Sequence, residues 1–233
     1  MSQNKLLVYL VAFISTMALI SFSLSPFFHI DNFEYHGLNI ITKEEITNII
    51  HPYTNANILF LDQRDLNKNL LLHPYIKSVN IIKYYPDRIR LNIIEREPIA
   101  KINNNGQYLF FTRSGFIVET GSIKSRVLVP EIKGLGYSLN NNYISFSPVL
   151  NDIVQALKEL DISIRTGIVT VIYKDDTISA SYKNIPIYFG RPSQLMDKFR
   201  IVQSVIIKIT QEKLDVEYID VTLHKKPVIK LIK

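Results

Sequence analysis

The chain has 233 residues, 47% of them hydrophobic and 21% charged, a folded rather than disordered composition with room for an anchor and one or two domains. It has no cysteine, which excludes disulfides, thiol catalysis and Cys-ligated zinc. The formal charge of +6 is spread among acids, and its densest cluster (Lys225, Lys226, Lys230, Lys233) has no interleaved aromatics, so the balance does not describe a nucleic-acid footprint.

Leu6 to Phe28 carries no charge. A helix of about 23 residues would be about 35 Å long, against a hydrocarbon core of roughly 30 Å. Tyr9 and the pair Phe27, Phe28 suit the interfaces. Ser23-x-Ser25 resembles a cleavage site, but Pro26 follows it and the stretch exceeds the roughly 7–15 apolar residues of a signal peptide, so an uncleaved anchor is expected. Lys5 precedes the span while Asp31 and Glu34 follow it, which places residues 1–5 in the cytoplasm and the remainder outside.

Residues 29–97 predict a βααββ domain. Phe28, Ile30, Phe33 and Tyr35 mark an irregular strand closed by Gly37. Thr42-Lys43-Glu44-Glu45 is a capping box for a helix carrying Ile46, Ile49 and Ile50, which Pro52 ends. Asp62 caps a second helix, with Leu66, Leu70 and Leu71, that stops at His73-Pro74. Val79–Lys83 and Ile89–Glu95 form a hairpin about a Pro86-Asp87 turn. Pro98 reads as a strand exit, and Glu95-Arg96-Glu97 as a solvated charge group at a junction.

Taken in order, Phe33-x-Tyr35-x-Gly37, Thr42-x-x-Glu45-Ile46, Asn57-Ile58-Leu59-Phe60-Leu61-Asp62, His73-Pro74-Tyr75-Ile76, Tyr85-Pro86 and Glu95-Arg96-Glu97-Pro98-Ile99-Ala100 resemble a POTRA domain. More narrowly they resemble that of the FtsQ/DivIB family of bacterial cell-division proteins.

Residues 98–233 predict a mostly antiparallel β domain with two or more helices, so the whole chain is α+β. Tyr108–Phe111 and Phe116–Val118 flank a turn in which Gly115 takes positive φ. Ser147-Pro148 opens a helix with Val149, Ile153, Leu157 and Leu160 as its stripe. Strands follow at Ile168–Tyr173, Thr177–Tyr182 and Ile185–Phe189, then a helix near Gln194–Lys208 and strands at Tyr218–Thr222 and Val228–Leu231. Leu128-Val129-Pro130 to Gly134, Tyr188-Phe189-Gly190, Lys198 and Ile219-Asp220-Val221 extend the family resemblance more loosely. Thr112-Arg113 and Thr222 depart from its pattern.

No chemistry-bearing motif emerges. The histidines (His29, His36, His51, His73, His224) are not paired at metal spacing, and neither a nucleophile elbow nor a phosphate loop is present. Asp175-Asp176 reads as a hairpin turn and Tyr84-Tyr85 as hairpin packing. The expectation is a non-catalytic protein with no cofactor, metal or small-molecule substrate. What the resemblance implies is a divisome scaffold at the septum. It would be a single-pass type II protein of the plasma (inner) membrane, assembling with FtsB-like and FtsL-like membrane proteins. A terminal strand edge would accept a partner strand, with Tyr218, Asp220, Thr222, Val228 and Lys230 as the binding residues. A POTRA-bearing transport or secretion component, and an anchored cell-wall-binding protein or enzyme, are the other readings.

Overall fold

The computed structural model describes residues 3–121 and 126–232. By internal contacts the chain divides into two compact units, Met1–Arg96 and Glu97–Lys233. Of the expected tail, Met1 and Ser2 lie outside the described residues, as does Lys233 of the basic cluster.

The first unit begins with helix α1 (Gln3–Ser23). Its segment Lys5–Ser23 is the one helix among the described residues long and apolar enough to cross a membrane. Nineteen residues at about 1.5 Å each give roughly 28 Å, close to the hydrocarbon thickness. Thr16 and Ser23 donate their hydroxyls to the carbonyls of Ala12 and Ile20, both at 2.8 Å, so these polar groups are satisfied within the helix. The helix ends at Ser23, short of the expected limit at Phe28. Pro26 supplies the first residue of a 3₁₀ turn, Pro26–Phe28, whose rings cluster with Phe22 at centroid distances of 5.2–5.9 Å.

That turn also delays the first strand, β1, which runs Asn32–His36. Helix α2 (Lys43–Ile50) starts at the capping box: Thr42 Oγ1 accepts from the Glu45 amide and Glu45 accepts from the Thr42 amide. Asp62 caps α3 (Gln63–Leu71) by accepting from the amides of Arg64 and Asp65. Strands β2 (Ile76–Tyr84) and β3 (Arg88–Glu95) complete a sheet of order β1-β3-β2, β1 parallel and β2 antiparallel to β3. Period-two alternation puts Ile89, Leu91 and Ile93 into a core shared with Ile46, Ile50, Leu66 and Leu70. Gly37, at φ +85°, lets the chain leave β1 close against β3; a Cβ there would stand 2.1 Å from the Ile93 carbonyl oxygen.

Glu95, Arg96 and Glu97 are not merely solvated. Glu95 shares the inward parity of Ile93, and its carboxylate accepts the amides of Asn39, Ile40 and Ile41 at 3.1, 2.8 and 2.9 Å. Arg96 donates to the carbonyls of Pro74 and Ile76. Glu97, in the second unit, pairs with Arg165 and with Lys158. Each charge is pinned to a group far away in sequence, which local composition does not reveal.

The second unit contains β4 (Pro98–Asn104), β5 (Gln107–Thr112), β6 (Ile117–Gly121), β7 (Glu131–Lys133), β8 (Tyr137–Asn140) and β9 (Tyr143–Phe146). Helices α4 (Pro148–Glu159) and α5 (Ile162–Gly167) follow, then β10 (Ile168–Lys174), β11 (Thr177–Tyr182) and β12 (Ile185–Gly190). The unit closes with α6 (Leu195–Glu212), β13 (Val216–Asp220) and β14 (Val228–Leu231). Nine strands form one sheet of order β14-β13-β12-β11-β10-β7-β4-β5-β6. Five neighbouring pairs are antiparallel and three (β4–β7, β7–β10, β12–β13) parallel, so the α+β, mostly antiparallel expectation holds. Both long helices bury their stripes in one core: Leu150, Ile153, Val154 and Leu157 of α4 with Leu195, Phe199, Val202 and Ile206 of α6.

Differences from the sequence reading are local. Pro98 opens β4 opposite Thr112 rather than closing a strand. The α4 stripe is centred on Leu150 and Val154 more than on Val149, and α6 extends to Glu212. Helix α5 and the β8–β9 hairpin carry no strong periodicity in the sequence. Asp175 and Asp176 do form the β10–β11 turn, at φ +49° and +55°.

Candidate partner-binding edge

Among the described residues the nine-stranded sheet ends in β14 on one side and β6 on the other. The start of β6 is covered: Ile117 donates to the Asn142 carbonyl and Ile144 to that of Gly115, each at 2.8 Å. Strand β14 has β13 on one side only. Its register places Val228, Ile229 and Lys230 opposite Asp220, Ile219 and Tyr218. Ile232 donates its amide to the Asp215 carbonyl at 2.9 Å. By ladder alternation the amides of Lys230 and Val228 also face β13, and those of Ile229 and Leu231 face away from it.

The sequence-nominated residues divide accordingly. Tyr218 with Lys230, and Asp220 with Val228, are two cross-strand pairs on one face of the sheet. Beside them lies a residue that the sequence did not nominate: Tyr188 of β12 is paired with Asp220, and its ring meets that of Tyr218 edge-on at 5.8 Å. Tyr188 sits in an alternating strand next to Gly190, and only the parallel pairing of β12 with β13 brings it to this face. Ile229 turns the other way and packs against the core. Thr222 is outside the strands. Its amide donates to Asp220 Oδ1 at 2.8 Å, and its methyl group fills the space where a Cβ on Gly190 would lie.

One expectation is corrected by this topology. The segment Tyr218–Lys230 is not itself an edge, because β13 is hydrogen-bonded on both flanks; only β14 is. A register irregularity between Val216 and Tyr218 sets two β13 residues against one on β14. Lys230 thereby reaches Glu217 at 2.9 Å and also lies over the Tyr218 ring at 5.6 Å. The hydrogen bond that Lys230 donates to Glu217, and then the Glu217 charge, hold the Lys230 ammonium above its usual pKa. The exposed rim is thus apolar at Val228, Leu231 and Ile232 and basic at Lys225, Lys226 and Lys230.

Tyr84 and Tyr85 are both exposed, although the Arg90 guanidinium lies 4.6 Å from the Tyr84 ring. Among the described residues no three His, Asp or Glu gather as a metal set.

Comparison with known proteins fits this architecture. The FtsQ-type POTRA domain family matches residues 28–96. The cell division protein DivIB of Clostridium botulinum is 24% identical over 97% of this chain and 90% of its own length. That of Clostridium acetobutylicum is 24% identical over 88% of this chain and 84% of its own. The chain is similar to the FtsQ/DivIB cell division proteins. The cell division protein FtsQ of Hahella chejuensis matches a shorter stretch, 28% identical over 37% of this chain and 30% of its own length. The first unit beyond α1 is therefore a POTRA domain, and the DivIB likeness extends across the sheet that carries β14. These matches support a role in cell division, and with the apolar α1 they fit a single-pass membrane protein.

Proposed function

We propose that this chain is a non-catalytic scaffold of the divisome. In this reading α1 crosses the plasma membrane with its N-terminus in the cytoplasm, and the POTRA and β units stand outside at the septum. The partners are FtsB-like and FtsL-like membrane proteins, and a strand of one of them adds to β14. The observation that carries the reading is the open edge: β14 has outward amides at Ile229 and Leu231 and an apolar, lysine-flanked rim. Such an edge either receives a strand or is guarded by its lysines. Here Lys230 is drawn onto Glu217 and Tyr218 over the sheet face, leaving the backbone edge open.

Removing Tyr218–Lys233 would strip an internal strand together with the edge, so a subtler variant is needed. Leu231→Pro deletes one outward amide without touching the inner ladder, a position where sheets accept proline only while they remain edges. Its stability should stay within about 1 kcal/mol of wild type, while a strand docked on β14 would lose a ladder bond and clash with the ring. The expected outcome is at least a tenfold loss of affinity, or about 1.4 kcal/mol. The readout is co-purification of FtsB-like and FtsL-like proteins from cells. Undiminished recovery with Leu231→Pro would remove β14 as the docking edge.

A further inference from the structure

Beyond the end of α1 a short loop exposes large apolar residues for which the fold itself has no use. Ile58 is fully buried, yet the next two residues, Leu59 and Phe60, are 37% and 64% exposed. The loop is not loose. Asn57 donates through its amide nitrogen to the carbonyl of Ser23 at 2.7 Å, satisfying one of the orphan acceptors at the helix terminus. The same side chain accepts from the Leu59 amide at 2.9 Å, and Phe60 donates to the Asn57 carbonyl at 3.1 Å. Ile58 donates to Phe28, and Lys83 reaches across from β2 to the carbonyls of Ile58 and Leu61 at 2.8 and 3.0 Å.

These bonds fix Phe60 relative to the point where α1 stops. A turn closed from residue i+3 to residue i holds their Cα atoms within about 7 Å. Asn57 itself touches the last helical residue, Ser23. If Ser23 marks the rim of the hydrocarbon, the headgroup layer beyond it is about 5–8 Å deep, half the difference between total and hydrocarbon thickness. Leu24 and Phe27, 60% and 58% exposed, lie in the connecting turn that directly follows Ser23.

We infer that the loop 57–61 is a membrane seat: Leu59 and Phe60 enter the headgroup layer of the bilayer that α1 crosses, beside Leu24 and Phe27. The occupant of this apolar patch is lipid, because the loop is tied through Asn57 to Ser23 at the last turn of α1, and Phe27 of the connecting turn stacks on the exposed Phe22 of that apolar helix. The POTRA domain is thereby held against the bilayer at a second point, which a single helix alone does not provide. The inference rests on α1 being a membrane span, and its test separates the two.

The chain has no tryptophan, so one introduced indole reports alone. The full chain is reconstituted in phosphatidylcholine–phosphatidylglycerol vesicles as Phe60→Trp, as Phe13→Trp in mid-span, and as Leu223→Trp, an exposed turn residue far along the sequence. For Phe60→Trp the expected result is emission shifted to the blue of Leu223→Trp and strong quenching by lipids brominated near the headgroup. Phe13→Trp should be quenched by lipids brominated deep in the chains. Water-like emission from Phe60→Trp with deep quenching of Phe13→Trp refutes the seat and keeps the span. Water-like emission from both refutes both. Blue-shifted emission from Phe60→Trp that no brominated lipid quenches means that protein covers the loop, which also overturns the inference.

Discussion

Replacing Glu95 by alanine should loosen the POTRA domain far more than removal of a junction charge would. The carboxylate accepts three consecutive amides, at 3.1 Å from Asn39, 2.8 Å from Ile40 and 2.9 Å from Ile41. Asn39 is in contact with solvent, and water can take over its bond. The bonds to Ile40 and Ile41 are part-buried, and hydrogen bonds to a charged acceptor contribute about 1.5–3 kcal/mol each. Because neighbouring bonds are not additive, a total of roughly 3 kcal/mol is expected for Glu95→Ala. For a domain of this size that corresponds to a fall in Tm of roughly 12–24 °C. Glu95→Gln should cost less, about 1–2 kcal/mol, since one oxygen remains while the amide nitrogen turns a donor toward the Ile40 N–H. The assay is thermal unfolding of the full chain in detergent micelles, with hydrogen exchange of peptides covering residues 37–45. A shift below about 3 °C for Glu95→Ala, with undiminished protection of those peptides, would show that the carboxylate does not hold the loop.

Lys198 is 1% exposed and donates to the carbonyls of Phe189 and Arg191 at 2.7 and 2.9 Å, tying α6 to the end of β12. Lys198→Met keeps most of the volume but orphans both carbonyls, for an expected cost of about 1–3 kcal/mol by urea titration at neutral pH. Burial holds the Lys198 ammonium below its usual pKa of 10.5. Approaching that value from below, the unfolded chain binds more protons than the folded one, so wild-type stability gains a rising component that Lys198→Met should lack. Glu34 behaves in the opposite sense. The Arg90 hydrogen bond, opposed by desolvation and aided by the charges of Arg90 and Arg88, holds its carboxyl below the usual 4.5. Its contribution is present above pH 4.5 and vanishes as the pH falls through the lowered value. Wild type and Glu34→Gln should therefore converge in Tm on acidification, and a constant difference down to full protonation would contradict the pairing.

Much of the fold was legible because its signals are local. The Thr42/Glu45 box, the Asp62 cap and the Ser147-Pro148 start each satisfy amides within three residues, so their meaning is complete within one window. Ile89, Leu91 and Ile93 announced a half-buried strand by period two alone, and Gly115 its turn. Where the reading went astray, the deciding partner lay far away in sequence. The Glu95 carboxylate is spent on amides 54–56 residues earlier. Pro98 starts a strand because Thr112 lies opposite it. Likewise Tyr188 joins the candidate face only through its pairing with Asp220.

By itself, then, the sequence determined an apolar span, the helix starts and the strand periods, since these follow from the chemistry of residues one to four positions apart. Only the tertiary structure decided which strands are flanked and which are open. That choice makes β14 the edge and β13 an interior strand, and it hangs Phe60 beside the end of α1. Strand order is set by backbone hydrogen bonds between segments brought together by burial of a shared core, and no short window of residues contains both partners of such a bond.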